Sequence, residues 1–477
     1  MKHYVIIPAL FLCLTLNAQL RESVTWTKLN SHAANLPVIG KLKTISSDGS
    51  GKSWWSIGCE TLDRDYSDFS KYKPYLKDLG VGYARIQSGW AKTEHVKGQY
   101  DFLWLDSIVD GLLSEGLKPW MCLCYGNPLY ASDIDLNAKI FTDKATMNAW
   151  TKYVRAVVRR YKGKVTMYEV WNEPDGGKGI NAPENYGDLF VETGKAIRQE
   201  DGNVLIAGFG LCTPARMAFL RKAMDRIQER NGLQYMDKVT YHAYWANPDD
   251  VSPYIIEMRN VIKSYSSRIE LLQGESGCPS HLEYGHALKN REWTEYQQVK
   301  WDLRRMVNDF KLGIPSSIFT FADLNYGWMQ QSFGMIRMNL KNEPIYKRPS
   351  YHGVQHMASV LSSDITPNCE IKAESQCGKT ISSIGLQKGK KTIGYMLWFS
   401  DEIPQASLER QNVSVIIHGI NIHDIVYVDL VTGNVHDMSS LVVGQYPGEK
   451  MKLTNVPLWD APVLIIEKKE IKYTSGI

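Results

Sequence analysis

Two short segments hold the residues best equipped for chemistry. One reads Tyr168-Glu169-Val170-Trp171-Asn172-Glu173-Pro174 and the other Leu271-Leu272-Gln273-Gly274-Glu275-Ser276-Gly277. Each places a carboxylate where a short apolar run ends. In the first, an amide precedes the acid and a proline follows it. In the second, glycines flank the acid and let backbone and ligand come close. Two carboxylates that face one another suit cleavage of the acetal link between sugars. One must be protonated to donate to the leaving oxygen. The other must be ionised, either to attack the sugar carbon or to activate water. Carboxyl groups roughly 5 to 5.5 Å apart imply attack and retention, and a wider gap implies inversion.

Such a pair needs a scaffold that brings residues 173 and 275 together. Eight apolar runs read as strands: Trp55 to Cys59, Tyr83 to Ile86, Lys118 to Cys124, Met167 to Trp171, Leu205 to Phe209, Lys238 to Tyr244, Ile269 to Gly274 and Ser317 to Phe321. Helical periodicity lies between them. Phe69, Tyr72, Leu76 and Leu79 recur at spacings of three and four before Gly80. Leu105, Ile108, Val109, Leu112 and Leu113 do so before Gly116, and Trp150, Tyr153, Val154, Val157, Val158 and Tyr161 before Gly163. Pro183 and Glu184 suit a first helical turn. This alternation predicts an α/β fold, a (β/α)8 TIM barrel over residues 51–363. A doubly wound sheet would more often carry a glycine-rich loop after its first strand, and here Glu60-Thr61-Leu62-Asp63 follows Cys59. Glu173 ends the fourth strand and Glu275 the seventh, at the carboxyl end where barrel sites are built. The 102 residues from 173 to 275 give 34 for each of three β/α units. Strands four and seven lie on opposite sides of an eight-stranded barrel, so both acids reach one axial pocket.

The remaining chain bounds the function. Ile381 to Leu386, Thr392 to Phe399, Val413 to His418, Ile425 to Leu430, Met451 to Leu453 and Val463 to Ile466 read as short strands, which predicts a C-terminal antiparallel β-sandwich over residues 364–477. Residues 19–50 are polar and able to add a strand to it. Lys2, the uncharged run Val5 to Leu16 and Asn17-Ala18 read as a signal peptide over residues 1–18, which implies a secreted or periplasmic protein. That run is too short to span a bilayer, and no membrane span is expected. Net charge is +4, from 55 Lys+Arg and 51 Asp+Glu, which argues against a nucleic-acid partner. Trp and Tyr, 14 and 26, far outnumber the 12 Phe, and such rings suit amphipathic ligands. Without Cys13, seven cysteines remain and cannot all pair. Cys369 and Cys377 flank a short polar segment that a disulfide can close in an oxidising compartment. Oligomeric state is not legible.

At this point the sequence resembles the β/α-barrel glycoside hydrolases of clan A, whose signature is a strand-four Asn-Glu-Pro and a strand-seven Glu. The Glu-Val-Trp-Asn-Glu-Pro form at residues 169–174 is most similar to family 39, the β-xylosidase and α-L-iduronidase family. Tyr100-Asp101-Phe102, Leu105-Asp106, Gly116-Leu117-Lys118-Pro119 and Arg348-Pro349-Ser350-Tyr351 resemble it too, so the likeness touches most of residues 54–470. The resemblance implies a retaining mechanism with Glu173 as general acid/base and Glu275 as nucleophile. It implies that Asn172 bonds the hydroxyl beside the reacting carbon, and that Arg85, His242 and Tyr244 surround the nucleophile. Strand eight, Phe319-Thr320-Phe321-Ala322-Asp323, lacks the Trp that floors the sugar site in many clan members, so Phe321 or Trp328 is expected in its place. The implied partner is an oligo- or polysaccharide, with no cofactor.

Other residues carry weaker claims. Glu169 lies deeper on its strand and is expected to bond inside the barrel. Glu60 and Asp323 also end strands and are expected to bond a neighbour or a substrate hydroxyl. Trp54, Trp90, Trp171, Trp245 and Trp328 are expected near the strand ends that carry Glu173 and Glu275, and Trp54, Trp90, Trp245 and Trp328, on strand-to-helix loops, are candidates to stack on a sugar. A metal-dependent barrel hydrolase would show His-x-His on an early strand; strand one ends Gly58-Cys59-Glu60, so no metal site is expected. A non-catalytic carbohydrate-binding protein would keep the aromatics but need not keep both carboxylates.

Overall fold

A computed structural model describes residues 20–32, 34–130, 139–176, 181–418, 422–446 and 450–475. The segment read as a signal peptide lies outside them. Eight parallel strands close a barrel: β1 (Trp55–Gly58), β2 (Tyr83–Gln87), β3 (Lys118–Leu123), β4 (Met167–Val170), β5 (Leu205–Leu211), β6 (Lys238–His242), β7 (Glu270–Ser276) and β8 (Ser316–Ile318). Each strand pairs with its sequence neighbour, and β8 closes on β1 with Ser316 opposite Trp55. The strands read as near-continuous apolar runs because both faces are covered, the outer one by helices. Helices Lys144–Tyr161 and Pro183–Glu200 follow the predicted periodicity, with Asp143 capping the first and Pro183 opening the second.

The pattern at Phe69, Tyr72, Leu76 and Leu79 does not make one helix. Phe69–Tyr72 forms a single α turn, then Lys73–Tyr75 and Lys77–Leu79 form 3-10 turns. Pro74 explains the break, since it supplies no N–H and its ring clashes with the preceding turn. The buried stripe survives the change: Tyr72, Leu76 and Leu79 are all buried. Gly277 also has a different purpose from the one its position suggests. A Cβ there would lie 1.8 Å from the carbonyl oxygen of Phe319. The glycine lets β7 approach the end of β8, not a ligand.

Two antiparallel sheets follow the barrel. The larger has eight strands and the smaller four, the latter being Lys372–Glu374, Gln411–His418, Lys450–Leu458 and Val442–Tyr446. In Gln411–His418 the inward Val413, Val415 and Ile417 alternate with outward residues, as packing on one face requires. The larger sheet includes an early segment, Val38–Leu42, which lies between Asn434–Asp437 and Tyr473–Ser475. Barrel and sheets share one apolar core. Polar ties reinforce it: Arg304 donates to the Glu402 carbonyl at 2.8 Å, and Trp398 Nε1 to Asp249 at 2.8 Å. Cys369 and Cys377 are both free thiols, so the expected loop is unbridged. Among the described residues no helix is long and apolar enough to cross a membrane.

Candidate active site

The turn after β4 is strained in a useful way. Trp171 and Glu173 both take positive φ, 68° and 49°, a region that costs non-glycine residues about 1–3 kcal/mol. Surrounding contacts impose it. Trp171 is wedged edge-on against Tyr125, Phe141 and Trp150, and the Glu173 N–H donates to the Gly210 carbonyl at 2.9 Å. This turn delivers Asn172 and Glu173 to the cavity at the barrel mouth.

Arg85, midway along β2, organises the centre. It is fully buried and spends its donors on four side chains carried by three other strands and the turns that follow them. Nε and Nη2 reach Glu169 Oε2 at 2.9 and 2.5 Å, Nη2 reaches Asn172 Oδ1 at 2.8 Å, and Nη1 is divided between Glu275 Oε2 at 2.7 Å and Glu60 Oε1 at 3.1 Å. Burial alone would weaken Arg85 as a base, but Glu169 and the other carboxylates push its proton affinity well up. Tyr244 donates to Glu275 Oε1 at 2.8 Å, so the nucleophile candidate receives a hydrogen bond on each oxygen. Burial, reinforced by the charge of Glu275, raises the Tyr244 hydroxyl well above its usual value and keeps it a donor. Glu169 takes Arg85 on one oxygen and the Thr240 hydroxyl on the other, an interior bond of the expected kind.

Glu60 behaves as a carboxylic acid. Burial pushes it from 4.5 to about 8, Arg85 opposing and Glu275 adding to the rise, and one oxygen has no partner. The native state therefore holds a proton that the unfolded chain releases above 4.5. The stabilisation is full below 4.5 and declines until about pH 8. Glu60→Gln is expected to flatten that decline, read as urea midpoints from pH 4.5 to 8; a slope identical to the parent's would contradict it.

Glu173 and His242 form the second centre. His242 Nδ1 lies 2.8 Å from Glu173 Oε1 and 3.7 Å from Glu275 Oε1. Burial pushes the Glu173 carboxyl up, but the hydrogen bond and charge of His242, with Cys212 and Arg85, together outweigh it and hold the group below its ordinary value. Burial lowers His242 in turn, yet the charge of Glu275 and the bond to Glu173 raise it overall. The two share a proton and titrate as a pair. Atoms of Glu173, His242 and Glu275 lie within 4.8 Å of one another, a spacing that could also seat a cation.

These groups open on a cavity of about 490 Å³, whose walls include Glu60, Arg64, Gln87, Tyr125, Cys212, His286, Phe319 and Tyr326. Asn172, Glu173, Tyr244 and Glu275 line it, while Arg85 and His242 support it from behind. Phe321 does not reach it. β8 ends at Ile318, and beyond it Phe319 faces the cavity while Phe321 is buried against Tyr72 and Tyr351. Trp328 stands at the rim, 67% exposed and stacked on His286. The remaining tryptophans do not line the cavity. Trp54 precedes β1 at the opposite end of the barrel and donates to the Ile365 carbonyl; Trp90 and Trp171 are buried, and Trp245 packs on Tyr254. Asp323 is held by Arg348 and Arg337 away from the cavity. Sequence reasoning missed Tyr125, though the strand-end rule could have found it after β3. Arg64, His286 and Tyr326 sit on loops where no periodicity marks them.

Comparison with known proteins follows the same lines. The family model described as Glycosyl hydrolases family 39 matches residues 54–273, ending two residues before Glu275. A β-xylosidase of Caldicellulosiruptor saccharolyticus is 24% identical over 408 residues, covering 76% of this chain and 78% of that protein. A family 39 glycoside hydrolase from Bacteroides cellulosilyticus WH2 superposes with a TM-score of 0.65 at 16% identity, over 88% of this chain and 82% of the other. A monomeric β-xylosidase from Caulobacter crescentus CB15 gives 0.58 at 15% identity, over 90% and 97%. The structural likeness shows the shared fold, and the sequence matches carry it to the chemistry: the chain is a glycosidase of the clan A type, similar to family 39.

Proposed function

We propose that the protein is a retaining glycosidase that cleaves O-glycosidic bonds of an oligo- or polysaccharide by double displacement, with Glu173 as acid/base and Glu275 as nucleophile. The observation that carries this reading is the spacing. One oxygen of each glutamate lies with a His242 ring nitrogen in a set no more than 4.8 Å across. That is near the separation for direct attack and too small for an intervening water of the inverting kind. Glu275, fixed by Arg85 and Tyr244, attacks the anomeric carbon while Glu173 gives the leaving oxygen the proton it shares with His242. Forming the ester removes the charge of Glu275 that had raised His242. The pair then holds its proton less tightly, and Glu173 takes one from the water that releases the sugar. Asn172, oriented by Arg85 and Tyr125, is placed to bond the hydroxyl beside the reacting carbon.

Glu173→Ala tests the assignment. Turnover of glycosides with poor leaving groups is expected to fall by about 10²–10⁴, and that of activated aryl glycosides much less. Azide should restore turnover and yield a glycosyl azide of retained configuration, followed by NMR. An inverted azide product would rule the roles out.

A further inference from the structure

The barrel has another cavity at the end remote from Glu173 and Glu275. It holds about 240 Å³, and its walls include Trp54, Trp55, Tyr83, Trp120, Met167 and Leu272. Tyr83 and Met167 each open a strand and Trp54 precedes β1, which places the cavity at the amino-terminal mouth. Barrel interiors are normally packed by layers of bulky branched residues. Here Trp120, Met167, Ala207 and Leu272 form a small apolar cluster apart from the main core, with Tyr83 packed against it. Four aromatic rings around one opening suit a flat guest, which meets ring faces and edges over most of its surface. Volume sets the size. An apolar cavity of roughly 150 Å³ takes up benzene, so 240 Å³ has room for two fused rings.

One group asks for more than a hydrocarbon. Ser56 also lines the cavity and is only 5% exposed. Its Oγ accepts the Trp120 Nε1–H at 2.9 Å. Among the described residues its own O–H has no acceptor. A buried hydroxyl proton without an acceptor costs free energy, and an oxygen on the guest removes that cost. The neighbouring polar groups are already engaged. Thr166 donates to the Pro119 carbonyl at 3.2 Å, and the Lys238 ammonium is balanced by Glu270 at 2.6 Å. The guest is therefore neutral. Trp120 links the two ends of the barrel, because the Arg85 guanidinium lies 5.4 Å from its ring centre.

We propose that the amino-terminal mouth is a binding site for a small neutral aromatic alcohol of one or two rings, seated among Trp54, Trp55, Tyr83 and Trp120 with its oxygen at Ser56 Oγ. The site does not depend on the glycosidase reading, since it uses none of the residues that line the other mouth.

Calorimetry on the full chain with 2-naphthol tests it. One site with Kd below about 1 mM is expected. Decahydro-2-naphthol carries the same oxygen on a thicker, saturated frame and should bind about 2- to 10-fold more weakly. Ser56→Ala is expected to weaken 2-naphthol by about 2- to 10-fold. Leu272→Trp fills the cavity from its wall and should weaken it by about tenfold or more. Melting curves establish that each variant is folded. If Leu272→Trp is not, a crystal structure of the parent with 2-naphthol decides, and the ring is expected beside Trp120 and Ser56. No binding at 1 mM, equal affinity for the saturated alcohol, a folded Leu272→Trp that binds like the parent, or a naphthol lodged elsewhere overturns the proposal.

Discussion

Glu275→Ala is expected to lower kcat on every glycoside by 10⁴-fold or more, on the order seen when a covalent nucleophile is removed. The expectation follows from the absence of a substitute within reach of the same carbon. Glu169 is engaged by Arg85 and Thr240 beneath the cavity floor. Glu60 is near enough to share Arg85, but burial keeps it protonated to about pH 8. The loss should be chemical and not structural, because Arg85 retains Glu169, Glu60 and Asn172 as partners. Thermal melts of parent and variant should therefore lie close together. Azide or formate added to the variant should attack from the vacated side and give an inverted product. Rates within tenfold of the parent would show that another group attacks the sugar.

Arg85→Met is expected to be the most damaging single change to stability. It removes the cation shared by three carboxylates, two of them essentially without solvent. Breaking a buried ion pair from one side costs about 3–5 kcal/mol, and here one deletion strands several acids. The sign with pH follows from which form is stranded. Uncompensated carboxylates bind protons more tightly in the folded state than in the unfolded one, so the variant should recover part of its deficit as pH falls. Urea unfolding at pH 5 and pH 7 measures both effects. Arg85→Lys should sit between, keeping charge but not the fork that serves Glu169, Glu275 and Asn172 together. An unchanged midpoint for Arg85→Met would mean that the cluster contributes nothing net.

These two sites differ in how well the chain announces them. Glu173 and Glu275 are legible because each lies at or just beyond the end of a strand, and strand ends follow from local periodicity and from the size of a β/α unit. The cluster around Arg85 joins β1, β2, β4 and β7, and only closure of the barrel makes residues 60, 85, 169 and 275 neighbours. Local pattern finds each residue but not the partnership. Phe321 shows a second limit. Alternation predicts which face a residue takes only while the strand lasts, and β8 stops at Ile318, three residues earlier than its apolar run suggests. Beyond that point Phe319 turns to the ligand side and Phe321 to the core. The tryptophans show a third. Composition indicated a polar-tipped aromatic site, and the cavity does carry Tyr125, Tyr244 and Tyr326. The large indoles were drawn instead into the packing that covers the most area, as with Trp90 and Trp150.

The placement of Val38–Leu42 has a consequence for how the protein comes into being. This segment is synthesised before any barrel strand, yet its partners are Asn434–Asp437 and Tyr473–Ser475, and Thr474 bonds Lys41 across 433 positions. At about 5–20 residues per second, a ribosome needs tens of seconds to deliver the first of those partners. The barrel can close in that interval while an early strand waits with bare edges, the state most open to wrong pairing. Of the two partners, Tyr473–Ser475 emerges later and is the one that ends the wait.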